Sequence, residues 1–226
     1  MKGIIISIEG TDGSGKHTQQ QKLVEHLKQL SYPVFDLSFP NYDSPSSAPV
    51  KMYLSGELGS SANCLDAYQA SSLFAIDRLC TYKKTIEPHY NIGEIILLDR
   101  YVQSNFIHQC SKIDNKKDKL NFIKWEENLE YDTLKLPRPD LIFFIEMPVE
   151  KSIELAHSRQ NYKTGQAKDI HEEDPTHLQK SYENGLMLAK ELGWQIIHCV
   201  DENNNIKSIE EIHNEIFEKT IKFLGN

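Results

Sequence analysis

Gly10, Gly13 and Gly15 lead directly into Lys16, and the run Ile4-Ile5-Ile6-Ser7-Ile8 leads into them. Glycines let a backbone turn tightly enough to aim several N–H groups into one concavity, and such a concavity wants an anion. A lysine ammonium at its edge reaches the β and γ phosphates of a nucleotide, and a helix starting there adds the partial positive charge of its N-terminus. The candidate phosphate cradle is Gly10, Gly13, Ser14, Gly15, Lys16, His17 and Thr18. This spacing satisfies most of the Walker A pattern. The exception is His17, which stands where the pattern asks for a Ser or Thr hydroxyl to meet Mg2+. Thr18 lies about 100° further round a helix and does not point the same way without a local shift. Asp12 puts a carboxylate inside an anion-binding loop, so it needs a compensating hydroxyl or cation.

The elements that must position this loop can be read in order. The apolar, β-branched residues 4–8 suit a strand covered on both faces, and Leu23, Val24, Leu27 and Leu30 lie on one face of a following helix. Residues 34–39 form a second strand closed by Pro40, and 41–50, rich in Ser, Pro and Asn, read as a surface loop. A long helical stretch over 66–87 carries Phe74 and Arg78. A third strand, 94–98, ends on Asp99-Arg100-Tyr101, at the carboxyl end of a strand where open α/β sheets bind ligands. Residues 101–110 continue as a helix, 111–119 read as a solvated turn, and 120–131 as an amphipathic helix with a plain packing role. Strands at 141–145 and 194–200 complete the set, separated by a polar stretch over 159–174 with the character of a lid over phosphates. Asp174-Pro175 and the pair Ser208 and Glu211 mark helix starts. Five strands alternating with helices predict a P-loop NTPase-type α/β fold, a five-stranded parallel sheet with helices on both faces and a short lid.

A chain of 226 residues with 39% hydrophobic content can build one sizeable core, so a single domain over 1–226 is expected. The net charge of -8 argues against a nucleic-acid polymer as partner and leaves a nucleotide in a pocket as the natural polyanion. The expected location is cytoplasmic: Met1-Lys2-Gly3 runs straight into a strand, and there is no run of 18 apolar residues for a membrane span. Cys64, Cys80, Cys110 and Cys199 form no C-x-x-C pair and read as reduced structural thiols.

Together, Glu9-Gly-x-Asp12-Gly-x-Gly15-Lys16, Phe39-Pro40, Phe74-x-x-x-Arg78, Asp99-Arg100-Tyr101 with Ser104-Asn105, and the 159–174 stretch make the chain resemble a thymidylate kinase from about residue 3 to its last helix. The resemblance implies ATP and dTMP as small-molecule partners, transfer of the γ-phosphoryl group to give dTDP and ADP towards dTTP synthesis, Mg2+ as cofactor, and a homodimer packed through helices. It implies that Lys16 and the backbone of 13–18 hold the ATP phosphates. On the acceptor side, Asp12 reaches the sugar 3'-hydroxyl and Arg100 grips the phosphate. Asp99 would position Mg2+ through water. Phe74 would stack on thymine, Arg78 would bond its O4, Ser104 and Asn105 would line the base and set its orientation, and Phe39 would belong to the substrate site. Some members place an arginine immediately after the P-loop acid. Here that position is Gly13, so the resemblance assigns the catalytic cation to the lid, to Arg159 with Lys163 and Lys168 as substitutes, and Glu172 of Asp169-x-x-Glu172 to the substrate. Three positions depart from the family pattern: His17, His171 in place of a lid tyrosine, and Asn41-Tyr42 where many members have an arginine. Preference for dTMP over dUMP stays open. So does the choice among this enzyme, a related deoxynucleoside or deoxynucleoside monophosphate kinase, and a nucleotide-binding regulator that has lost turnover.

Overall fold

The computed structural model describes residues 2–160, 170 and 174–225, apart from the side chains of 156–160. The elements run β1 (Ile4–Glu9), α1 (Lys16–Gln29), β2 (Val34–Ser38), α2 (Ala48–Leu54), α3 (Ala67–Thr81), α4 (Glu87–Asn91), β3 (Ile95–Asp99), α5 (Gln103–His108), α6 (Lys116–Glu127), β4 (Leu141–Glu146), α7 (Val149–Gln160), α8 (Pro175–Glu191), β5 (Gln195–His198) and α9 (Ile209–Leu224). The five strands form one all-parallel sheet in the order β2-β3-β1-β4-β5. The predicted strands are all present, with ends shifted by at most two residues.

Alternation along the central strands divides the interior. Ile5, Ile96, Leu98 and Phe144 face one layer, packed with Phe106, Ile107, Phe122 and Leu188 from α5, α6 and α8. Ile6, Ile8, Leu97, Phe143 and Ile145 face the other, where α1 contributes Leu23, Val24 and Leu27 and α9 contributes Ile212 and Ile216. Each fully buried side chain of this size contributes roughly 1.5 to 3 kcal/mol relative to exposure. β1 and β3 are therefore held rigidly side by side, with Ile8 level with Asp99, and their carboxyl ends open at one edge of the sheet.

The helix starts at Asp174 and at Ser208 are capped as predicted. Two other expectations change. The supposed surface loop over 41–50 holds the start of α2, because Val50, Tyr53 and Leu54 bury one face of a short helix entered through Pro45 and Pro49. The supposed solvated turn over 111–119 contains the capped start of α6: the Asn115 side chain accepts from the Asp118 N–H, so the run of charge is the outer face of a helix. α3 widens into an i→i+5 turn at Tyr82–Ile86, and α6 does the same at Asn128–Thr133.

Candidate active site

β1 ends in Glu9, whose side chain is fully buried beneath the loop that follows. Its Oε1 accepts from the Tyr101 N–H at 2.8 Å and its Oε2 from the Ser104 hydroxyl at 2.6 Å, so the end of β1 is tied to the segment that leaves β3. Burial pushes Glu9 up to about 7 against the pull of the Ser104 hydroxyl, the Arg100 charge and the Tyr101 N–H. The glycine loop turns above it. Gly13 has φ 77°, and a Cβ there would meet the Ser152 carbonyl of α7 at 2.8 Å, so this position requires glycine on both counts. Gly15, at φ 91°, forms the cap of α1.

Lys16 is buried at the start of α1, with Nζ donating to the Thr11 carbonyl at 2.7 Å. Burial, and next the Arg100 charge, push it down to about 8, while Asp99, Asp12 and Glu9 pull the other way. The hydroxyls of Thr11 and Ser14 are buried and bond nothing among the described residues. Two available hydroxyls, a helix N-terminus and an ammonium bonded to a carbonyl make the anion-ready concavity that the spacing predicts.

Arg100 stands opposite. It has φ 68°, a left-handed conformation uncommon for a residue with a Cβ and enriched at functional positions. Its Nη2 donates to Asp12 Oδ1 at 2.5 Å, and Nη1 reaches the Gly10 carbonyl at 3.3 Å, Ser104 Oγ at 3.4 Å and His108 Nε2 at 2.8 Å. Burial disfavours its charge, yet Asp12, Asp99 and Glu9 outweigh this and hold the guanidinium more firmly protonated than usual. Here is the compensating cation that a carboxylate in the phosphate loop requires.

Between these groups and α3 lies a pocket with about 490 Å³ of empty space, open solvent included. Of the predicted acceptor-site residues, Asp12, Phe39, Phe74, Arg78, Arg100, Ser104 and Asn105 all line it. Phe74 meets Tyr53 edge-on, at 6.4 Å between ring centroids. Two of these side chains are committed differently from expectation. The Ser104 hydroxyl turns down to Glu9, and Arg78 is held from behind, its Nε donating to Glu130 Oε1 at 2.8 Å. The helix over 120–131, read as plain packing, thus supplies Glu126 and Glu130 to the wall behind the pocket. The sequence carries a signal for them: Phe122, Glu126 and Glu130 recur every four residues, placing carboxylates on the face that must be buried. Pocket residues Leu54, His108 and Gln109 also went unremarked, and Leu54 sits in the unpredicted α2.

Asp99, at the end of β3, keeps Oδ1 buried and without a partner among the described residues, and its Oδ2 lies 3.8 Å from Nδ1 of the exposed His17. A lone carboxylate oxygen beside the phosphate loop is a hard donor that fits Mg2+, held directly or through water. No cluster of three His, Cys, Asp or Glu side chains suited to a metal occurs among the described residues, so such an ion would draw its other ligands from phosphates and water. Arg159 belongs to the last turn of α7. Its side chain, Glu172, and most of the predicted lid, including Lys163 and Lys168, lie outside the described residues. Ile170 is described: its N–H donates to the Leu54 carbonyl at 3.2 Å, at the rim of the pocket.

The family model described as Thymidylate kinase matches residues 8–216. The chain belongs to the thymidylate kinase family. Its curated relatives include the thymidylate kinase of Mycobacterium tuberculosis (strain ATCC 25618 / H37Rv), 31% identical over 173 residues that cover 76% of this chain and 78% of that one. The thymidylate kinase of Exiguobacterium sp. is 27% identical over 99% of this chain and 97% of its own. The probable thymidylate kinase of Thermococcus onnurineus is 30% identical over 94% and 95%. Membership of the thymidylate kinase family makes the chain a nucleoside monophosphate kinase that takes ATP as donor. Among the described residues no helix is long and apolar enough to cross a membrane.

Proposed function

We propose that this chain transfers the γ-phosphoryl group of ATP to dTMP, giving ADP and dTDP, with the donor on the glycine loop and the acceptor in the adjoining pocket. The observation that carries this reading is the Arg100–Asp12 pair at 2.5 Å, which joins the phosphate loop to the acceptor pocket and leaves the two phosphates to meet between them. Phosphoryl transfer leaves the protein mainly positioning and charge stabilisation. Lys16 exchanges its bond to the Thr11 carbonyl for the donor's phosphate oxygens. Arg100 turns part of its fork from His108 and the Gly10 carbonyl to the acceptor phosphate, for which two parallel N–H groups are well matched. Asp12, paired with Arg100, orients the sugar hydroxyl, and Phe74 and Phe39 sandwich the base. Mg2+, with Asp99 as its protein contact, would neutralise charge on the donor phosphates. Arg159, carried on α7 towards the 159–174 lid, supplies the cation that Gly13 cannot, and Glu172 completes the acceptor side.

The whole of 1–226 acts as one kinase domain. The wider proposal is a cytoplasmic homodimer paired through helices, with no nucleic-acid polymer as partner, and light scattering tests the dimer. A coupled assay with ATP and Mg2+, run with dTMP, dUMP and thymidine side by side, tests the reaction. Turnover on dTMP with none on thymidine is expected, because Arg100 needs a phosphate to grip. Turnover confined to thymidine would overturn the acceptor assignment, and no turnover at all would favour a regulator.

A further inference from the structure

The wall behind the pocket holds more charge than a binding surface needs. Arg78 is 2% exposed, and the Glu126 and Glu130 side chains against it are fully buried. Nε of Arg78 donates to Glu130 Oε1 at 2.8 Å; Nη2 donates to that same oxygen and, at 3.5 Å, to Glu126 Oε1. The Glu126 oxygen also accepts from Asn105 Nδ2 at 2.5 Å, and the only other bond of that amide nitrogen among the described residues is a 3.5 Å contact with the Ser71 carbonyl. These bonds use up one edge of each pocket residue. What Arg78 has left is Nη1, a donor only, and what Asn105 has left is Oδ1, an acceptor only.

A donor beside an acceptor reads one hydrogen-bonding edge and rejects its reverse. A pyrimidine with oxygen at ring position 4 and N–H at position 3 presents the complement, whereas cytosine, with an amino group at position 4 and a bare nitrogen at position 3, presents donor and acceptor the wrong way round. The selection holds only while both side chains stay as they are. An asparagine amide keeps nearly the same shape when turned over, and a guanidinium without a carboxylate on its Nε edge is free to swing.

We infer that Glu126 and Glu130 are positioning residues that fix, from behind the pocket, which edge Arg78 and Asn105 turn to the acceptor base, and so set the choice of 4-oxo over 4-amino pyrimidine monophosphates. This rests on the acceptor reading given above. Charge balance agrees with it. Two carboxylates against one guanidinium leave one negative charge in excess, and burial, followed by the Glu130 charge, pushes Glu126 up to about 8, so a proton on Glu126 at neutral pH removes the excess. E126Q then resembles the protonated state and still offers Asn105 an oxygen, while E126L offers none.

Steady-state kinetics with ATP and dTMP, dUMP or dCMP on the wild type, E130Q, E126L and E126Q test the assignment. The wild type should favour dTMP and dUMP over dCMP in kcat/KM. E130Q and E126L should raise the KM for dTMP and shrink the dTMP-to-dCMP ratio by a factor on the order of ten, with the KM for ATP unchanged. E126Q should recover the ratio lost in E126L. A merely structural role would lower kcat and the melting temperature and leave the ratio alone, and that result overturns the inference. If E126L fails to fold, the ratio in E130Q against wild type decides in the same way. A wild type that turns over none of the three nucleotides would overturn the kinase reading and this inference with it, which keeps the two failures apart.

Discussion

The phosphate loop and the acceptor pocket share a wall but are built on different principles. In the loop, the groups offered to a ligand are main-chain N–H groups and one ammonium, set by the turn at Gly10–Gly15 and the start of α1, and the Thr11 and Ser14 hydroxyls stand unpaired among the described residues. In the pocket, side chains hold one another: Arg100 with Asp12 and His108, Arg78 with Glu130 and Glu126, Asn105 with Glu126. A change in the loop therefore alters binding or rate, because little leans on any single side chain. A change in the pocket strands a buried partner, and the cost reaches the fold itself.

Variants that separate these consequences test the contrast, starting with the largest effect. Arg159→Ala should cut kcat by a factor on the order of 10³, the lower part of the range for arginine fingers, with little change in either KM or in urea unfolding. A loss below tenfold would move the role to Lys163 or Lys168. Arg78→Ala should behave in the opposite way, costing about 3 kcal/mol in urea unfolding because the buried Glu130 carboxylate loses its cation. Glu126, pushed up to about 8 and so already protonated at neutral pH, leaves no second charge stranded, which keeps the loss at the low end of the usual range. Unchanged unfolding would mean that the wall does not depend on Arg78.

Arg100→Ala crosses the boundary between the two regions. It should raise the KM for dTMP by about 2 kcal/mol in transition-state terms, and the KM for ATP as well, since Asp12 is left as an uncompensated anion in the phosphate loop. Adding Asp12→Asn should then restore the KM for ATP but not that for dTMP. Restoration of both would remove Arg100 from the acceptor site.

Lys16 makes the loop sensitive to alkali. Its ammonium is charged below about 8 and neutral above, so ATP affinity measured without acceptor should weaken about tenfold from pH 7 to pH 9. A flat profile would mean that Lys16 does not meet the phosphates. The smallest effect is expected for His17→Thr. It exchanges an imidazole near Asp99 for the oxygen ligand that Mg2+ prefers and should lower the Mg2+ concentration for half-maximal rate a few-fold without abolishing turnover. Identical Mg2+ profiles in the two proteins would place His17 away from the metal.

The same contrast explains what could be read before the fold was known. The loop is contiguous, and its chemistry lies in glycine spacing and one lysine, so residues 4–18 announce it, and the five strands follow from β-branched runs that only a doubly covered sheet can bury. The pocket gathers side chains from the ends of β1, β2 and β3 and from α2, α3 and α5, with α6 behind them. Asp12 could be recognised as needing a cation, yet only the pairing of β1 with β3 reveals that Arg100 is that cation. Glu126 and Glu130 stayed hidden because carboxylates in an amphipathic helix are ordinarily its solvated side. α2 stayed hidden because Ser and Pro marked its start as a loop.

Gly13 has a mechanical consequence. With the Ser152 carbonyl 2.8 Å from where its Cβ would be, the loop bears directly on the first turns of α7, and Arg159 rides at the other end of the same helix. Twelve residues at about 1.5 Å each make α7 a strut of roughly 18 Å. An arginine grafted at position 13 could not simply duplicate the cation proposed on α7, because its side chain would push the strut and displace the residue it was meant to replace. An arginine at position 13 and the cation proposed on α7 are, in this chain, mutually exclusive by leverage.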